Sequence, residues 1–297
     1  MQIESKYFPV AVLGAGTMGE GIAQIVATSG HPVMLYDVSH EQIQGAIENI
    51  AKRLERSVKK EKITVEKRNQ ILANISPARA LVELAQVKLA IEAIIEDLGI
   101  KQDVFSQLES LLEADAILAT NTSSIDLNKM GSKLKHPQRL VGMHFFNPAP
   151  VMALVEIVHS TETDSEVADL VFSLVKEWGK SPVHVRSSPG FIVNRAARPF
   201  YSEALVILKE GGTDAANCDA IMRDCGGFRM GPFELMDLIG LDVNYAVTCQ
   251  IWKSYEQHPR FAPSMLQKKL VDSGRLGRKS GRGFFEYGAD AGMPAPE

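Results

Sequence analysis

The stretch Val10–Ala23, VAVLGAGTMGEGIA, decides how this chain is read. A short apolar run leads into Gly14-x-Gly16-x-x-Gly19, and a helical pattern of small and apolar residues follows. Each glycine has a separate reason in a strand–turn–helix unit. Gly14 permits the tight turn, Gly16 lets the backbone approach a pyrophosphate, and Gly19 lets the helix pack closely on the strand. The first amides of that helix then face the phosphates with partial positive charge. The spacing is weak evidence alone, but PVMLYD reads as the next buried strand and ends in Asp37, eighteen residues past Gly19. A carboxylate there accepts hydrogen bonds from an adenosine ribose and repels a 2′-phosphate, which predicts NAD rather than NADP.

Outward from this unit, strand and helix patterns alternate. Glu41–Lys62 is charged on one side and carries Ile43, Ile47, Ile50, Leu54 and Val58 at spacings of three and four, the mark of an amphipathic helix. VKLAIEAI, AILATNTSS, RLVGMHFF, LVEIV and PVHV are further strand candidates. The pattern predicts an α/β fold with a Rossmann-type, doubly wound and mostly parallel sheet. After RSSPGF the character changes to long helical patterns, so an all-α C-terminal domain is expected. The boundary is placed near Ser187–Pro189, with domains at 1–187 and 188–297. The closing GADAGMPAPE reads as a frayed tail.

Composition bounds the possibilities. With 297 residues, 45% of them hydrophobic, the chain can bury two cores. A net charge of −4 offers no broad basic surface, so no nucleic-acid partner is expected. No apolar run approaches a membrane span, and the N-terminus is too acidic in front of too short an apolar run for a signal peptide. Cys218, Cys225 and Cys249 are odd in number and form no CxxC, which points to a reduced, cytoplasmic protein with buried thiols and no metal site.

The chemistry is sought where the sheet's strands end. In AIEAIIEDLGIKQDVF, Glu92 and Glu96 sit where a strand meets a helix, and Glu96 or Lys101 could line the nicotinamide end. Asp97 reads equally as a helix cap and Lys101 as a solvated charge. A hydride transfer from a hydroxyl carbon needs a base for the hydroxyl proton, and histidine suits that role. His31, His40, His136 and His258 stand in polar or loop contexts, and His159 and His184 lie near strand ends without an evident partner. His144 follows a strand at the expected carboxyl edge, with Glu156 twelve residues on in the next strand. The turn Asn147–Pro150 could fold LVEIV back so that the carboxylate orients the imidazole. A satisfied core histidine beside an edge-strand glutamate is the plainer reading of the same residues. Ser123 and Ser124 of TNTSS could face the same cleft, or simply cap a helix.

Taken together, GAGTMGEGIA, IEAIIEDLGIK, NTSS, HFFNPAPVMALVEIV, PGFIVNR, GFRMGPFELMDLIGLD and GRLGRKSGRGFFEY resemble the short-chain L-3-hydroxyacyl-CoA dehydrogenase family, most of all bacterial 3-hydroxybutyryl-CoA dehydrogenases. The resemblance runs from about residue 8 to 287. It implies a catalytic pair, His144 and Glu156, with Ser123 and Asn194 completing the polar set around the reacting oxygen. It implies NAD contacts from the Gly14–Gly19 loop (Ala15, Thr17 and Met18 included), Asp37, Glu96, Lys101, Ser123 and Asn147. It further implies an acyl-CoA thioester substrate and a homodimer built through the helical domain. By family position, Arg53, Lys60 and Ser123 match CoA contacts, although the family often has serine where Arg53 stands. Taken alone, Asn194 reads as an ordinary helix residue. Two other readings fit many of the same residues: a dehydrogenase of a small hydroxy acid without CoA, such as an L-gulonate 3-dehydrogenase, and a non-catalytic NAD-binding protein of the crystallin type.

Overall fold

The computed structural model describes residues 7–288 and the backbone of 295–296, which fall into two compact units divided between Ser188 and Pro189. In the first unit β1 (Val10–Leu13), α1 (Thr17–Thr28), β2 (Val33–Tyr36), α2 (His40–Lys59), α3 (Val65–Ala73) and β3 (Ile75–Ala78) form the first half of a wound sheet. The second half comprises β4 (Leu89–Glu92), α4 (Leu98–Leu111), β5 (Ile117–Thr120), α5 (Leu127–Gly131), β6 (Leu140–Phe145), β7 (Leu154–His159), α6 (Ser165–Glu177) and β8 (Ser181–Arg186). The strand order is β3-β2-β1-β4-β5-β6-β7-β8, and each neighbouring pair is parallel except β6 with β7.

The sequence explains this layout. β1, β4 and β5 are buried throughout because helices cover both faces of a parallel sheet, so their residues read as unbroken apolar runs. One face of the sheet packs Val10, Val12 and Ile91 against Ile22, Ile25 and Val26 of α1 and Ile43, Ile50 and Leu54 of α2. The other packs Ala11, Leu13 and Ala90 against Phe105 and Leu108 of α4. Since β1, β2, β4 and β5 run in one direction, Leu13, Tyr36, Glu92 and Thr120 end side by side at one carboxyl edge.

Several expectations shift. α1 begins at Thr17, in the glycine loop itself, and the amphipathic helix ends at Lys59 rather than Lys62. α3 and β3 were not foreseen. β3 is the four-residue edge strand ISPA, half exposed and holding Pro77, which cannot donate to a ladder and belongs at a sheet edge.

The second unit holds α7 (Val193–Lys209), α8 (Ala215–Asp224), α9 (Pro232–Ile239), α10 (Leu241–Ser254) and α11 (Met265–Asp272). Among its described residues the one pair of strands is the two-residue antiparallel β9 (Phe285–Glu286) with β10 (Ala295–Pro296). Of the tail read as frayed, Ala295–Pro296 is thus paired, while 289–294 and 297 lie outside the described residues. Its core gathers Tyr201, Leu205, Phe233, Met236, Leu241 and Phe285. Only Cys218 of the three thiols is buried. Cys225 is exposed and Cys249 half-buried, because both fall on outward positions of helix ends and faces. Among the described residues no helix is long and apolar enough to cross a membrane.

Candidate functional site

The glycine loop is built as its residue types demand. Gly14 has φ +101°, and a Cβ there would sit 2.5 Å from the carbonyl oxygen of Ala93. A Cβ on Gly19 would fall 1.7 Å from the carbonyl oxygen of Gly14, which fixes how closely α1 can dock on β1. Gly16 differs: a Cβ there would meet nothing within 4 Å. It is also the N-cap of α1, without a side chain to cap the first amides. Open space in front of uncapped helix amides is the shape a dinucleotide pyrophosphate requires, so the loop fits NAD.

Asp37 follows β2, and its two oxygens accept from the amide of Ala15 at 2.8 Å and that of Ser39 at 2.9 Å. The carboxylate therefore braces the glycine loop, while each oxygen keeps a second lone pair for a ribose hydroxyl. Next to it Val38 is 90% exposed, and across the same edge Ile95 is also exposed. Neither drew notice in the sequence, where apolar residues after strands read as core. Exposed at a ligand edge, they offer apolar walls to an adenosine.

Beside the loop, Glu20 lies in the first turn of α1, buried, where Asn49 Nδ2 donates to it at 3.1 Å and Arg53 of α2 is ion-paired with it. Arg53 also donates to Gln24 at 2.8 Å. The guanidinium is thus not a freely solvated charge but a link between α1 and α2. Lys59 and Lys60, at the end of α2, are exposed.

The carboxyl edge of β4 carries a chain of charges. Glu92 is fully buried and accepts from Lys101 Nζ at 2.5 Å, Thr120 Oγ1 at 2.7 Å and the amide of Ile94 at 2.7 Å. Lys101 is 1% exposed, so its reading as a solvated charge is overturned: from the first turns of α4 its side chain points back beneath the edge. Its ammonium also reaches Glu96 at 3.2 Å. Glu96 in turn accepts from Thr122 Oγ1 at 2.5 Å, Ser124 Oγ at 3.0 Å and the Ser123 amide at 3.2 Å. Although burial works to raise it, the Glu96 carboxyl sits below its ordinary pKa because Lys101 and these donors favour the anion. Asp97 is the cap of α4, accepting from Ile100 N at 2.9 Å. Neither Ser123 nor Ser124 caps a helix, since Asp126 caps α5.

His144 and Glu156 meet. They are register partners on the antiparallel strands β6 and β7, and His144 Nδ1 lies 2.7 Å from Glu156 Oε2. His144 is 5% exposed and Glu156 0%. The turn containing the exposed Asn147 reverses the chain, and period-two alternation then brings the two side chains to one face of the sheet. Asn121 Oδ1 accepts from the amide of Phe145 at 2.9 Å and ties the Asn121–Ser124 loop to the residue after His144. Sequence reasoning missed Asn121, Thr120 and Thr122, whose polar types in a strand end were the available signal. Asn194 lies on the first turn of α7, in the second unit.

Two histidine readings change. His31 is buried, its Nδ1 3.2 Å from the Phe8 carbonyl and its ring edge-on to Phe8 and Trp178. His159 and His184 do have partners: the rings are bonded to each other at 3.0 Å across β7 and β8, and Asp169 lies 3.4 Å from His184.

Comparison with known proteins identifies the family. A family model described as the 3-hydroxyacyl-CoA dehydrogenase NAD binding domain matches residues 9–188, and that of the 3-hydroxyacyl-CoA dehydrogenase C-terminal domain matches residues 190–287. The chain is 47% identical over 281 residues to a 3-hydroxyadipyl-CoA dehydrogenase of Escherichia coli, covering 95% of this chain and 59% of that protein. It is 39% identical over 278 residues to a 3-hydroxybutyryl-CoA dehydrogenase of Clostridioides difficile, covering 94% and 99%. A crystal structure of 3-hydroxybutyryl-CoA dehydrogenase from E. coli K12 superposes with a TM-score of 0.94 at 46% identity, over 97% of this chain and 61% of that one. The chain thus spans about three fifths of the E. coli relatives and almost the whole of the clostridial one. With both family models matched in order across nearly all its length, the chain belongs to the 3-hydroxyacyl-CoA dehydrogenase family of NAD-dependent oxidoreductases.

Proposed function

We propose that this protein interconverts L-3-hydroxyacyl-CoA and 3-ketoacyl-CoA, using short acyl chains of the 3-hydroxybutyryl type, with His144 as the general acid–base. The observation that supports this most is the 2.7 Å contact between two buried ionisable groups at the nucleotide edge. Bound there, NAD supplies the acceptor for the hydride that leaves C3. His144 takes the 3-hydroxyl proton on Nε2 in the oxidative direction and returns it in the reductive one. Glu156 accepts from Nδ1–H, fixes the tautomer and offsets the charge of the imidazolium. Ser123 and Asn194 are the residues to which the family resemblance assigns the hydrogen bonds on the oxygen as it becomes a carbonyl. Asp37 takes the adenosine ribose, and Glu96 with Lys101 beneath it holds the Ser123–Ser124 loop against the nicotinamide side.

In this reading residues 1–187 bind NAD and 188–297 serve the acyl-CoA substrate and form a cytoplasmic homodimer, for which light scattering should return about twice the mass of one chain. Ser123 and Lys60 contact CoA, and Arg53 does so at the α1–α2 link. The test is a panel of 3-ketoacyl-CoA esters from four carbons upward, dicarboxylic ones included, with NADH and NADPH compared. NADH-dependent turnover highest on acetoacetyl-CoA is expected. A preference for the 3-ketoadipyl ester would shift the substrate toward the kind named for the E. coli relative. Turnover of free hydroxy acids with none of CoA esters would overturn the reading.

A further inference from the structure

The helical unit contains a cleft of about 680 Å³ that the reaction above does not use. Its walls come from α7, α10, α11 and the loop through Pro259 and Ser264. At its lining lies Arg198, 5% exposed. Arg198 Nε donates to the carbonyl of Asn194 at 3.1 Å, and Nη1 donates to the carbonyl of Asn244 at 3.1 Å and to Thr248 Oγ1 at 2.8 Å. All three acceptors are neutral. The ring of Tyr201, 4.9 Å from the guanidinium carbon, is the other electron-rich group against it. A buried cation held only by neutral groups is costly, and burial pushes this guanidinium below its ordinary pKa. Nη2 hydrogen-bonds to none of the described residues and is not one of the buried, sealed-off nitrogens.

The mouth of the cleft has the same sign. Lys209, Arg260 and Lys269 line it and are exposed, against the single carboxylate of Glu203. In a chain of net charge −4 this is a local reversal. The lining also includes the apolar Pro199, Leu205, Val206, Pro263 and Leu266, beside the polar Ser202, Ser264 and Gln267. A volume of this size is that of a small-molecule site, with apolar walls and few polar anchors.

We propose that this cleft binds an aliphatic oxyanion, a carboxylate or phosphate head on a short hydrocarbon body, with the head on Arg198 and the body along the apolar walls. The two N–H groups of Nη2 suit either head, since a carboxylate and a phosphate each offer charged acceptor oxygens.

Calorimetric titration of the whole chain with octanoate, octyl phosphate, octanol and inorganic phosphate tests it. One equivalent of octanoate or octyl phosphate should bind, the tighter of the two identifying the head, with octanol and inorganic phosphate at least tenfold weaker. Arg198→Met should abolish that binding. Because Arg198 also ties α7 to α10, a second variant, Lys209→Ala with Lys269→Ala, probes the mouth alone: several-fold weaker binding at unchanged Tm is expected. Absence of binding by both amphiphiles, octanol binding as well as octanoate, or binding indifferent to Arg198→Met would overturn the proposal. So would mouth variants that change the mass by light scattering and leave the titration untouched, since the cleft would then be a face between copies of this chain.

Discussion

At the scale of single residues, the sheet edge shows how cost and use are balanced. Glu92, Lys101, His144 and Glu156 are all buried, and each is bonded to another ionisable group. Removing one partner from such a pair strands the other charge, which is why they persist together. Asp37 is different, being half-buried and in reach of solvent. Its replacement by alanine removes the brace on Ala15 and the carboxylate proposed to accept from the ribose. A hydrogen bond to a charged group contributes about 1.5–3 kcal/mol, so the Kd for NADH should rise roughly tenfold to a hundredfold, with kcat at saturating NADH little changed. Fluorescence titration measures it, and an unchanged Kd would remove the ribose contact. His144 with Glu156 was legible from spacing because the alternation of strands is periodic. Lys101 was not: a lysine in a helix's first turns reads as solvated unless one knows that Glu92 waits beneath it.

At the scale of elements, legibility followed hydrophobic pattern. β1, β4 and β5 announced themselves as continuous apolar runs, whereas β3, with Pro77 and two exposed positions, looks like a loop. The helical unit carries a feature the sequence hides, a carboxylate that caps a helix from another helix. Asp219 of α8 is buried, and its oxygens accept from the amides of Phe233 at 2.9 Å and Glu234 at 2.7 Å, the first turn of α9. Desolvation raises its pKa from 3.8 to about 6, against the downward pull of those amides. The folded state therefore holds this proton more tightly than the unfolded chain does. Its contribution to stability is largest below about pH 4, falls as pH rises toward about 6, and is flat above. In Asp219→Asn that slope should vanish. Denaturant midpoints of both proteins from pH 4 to 7 check it: wild type should lose stability relative to the variant as pH rises. A constant difference would mean that Asp219 titrates normally.

At the scale of the whole molecule, the division of labour follows the change in pattern after RSSPGF. The sheet unit could be read in detail, since the glycine loop, Asp37 and His144 each stand at a strand end where α/β folds bind ligands. The helical unit could be read only as helices. Asn194 sits in an unremarkable turn of α7, and its assignment rests on family resemblance rather than on any local signal. Arg198, one turn on, betrayed nothing in sequence, because its burial is decided by α10 and the loop beyond it. The pair on β6 and β7 carries the chemistry proposed for the whole chain, and one comparison bears on it most directly: acetoacetyl-CoA-dependent oxidation of NADH by wild type and His144→Gln, with NADH affinity measured in parallel. Wild type should turn over, and the variant should retain its NADH affinity while kcat falls roughly 10²–10⁴-fold. A variant that turns over like wild type would contradict the assignment of His144 as the group that moves the proton.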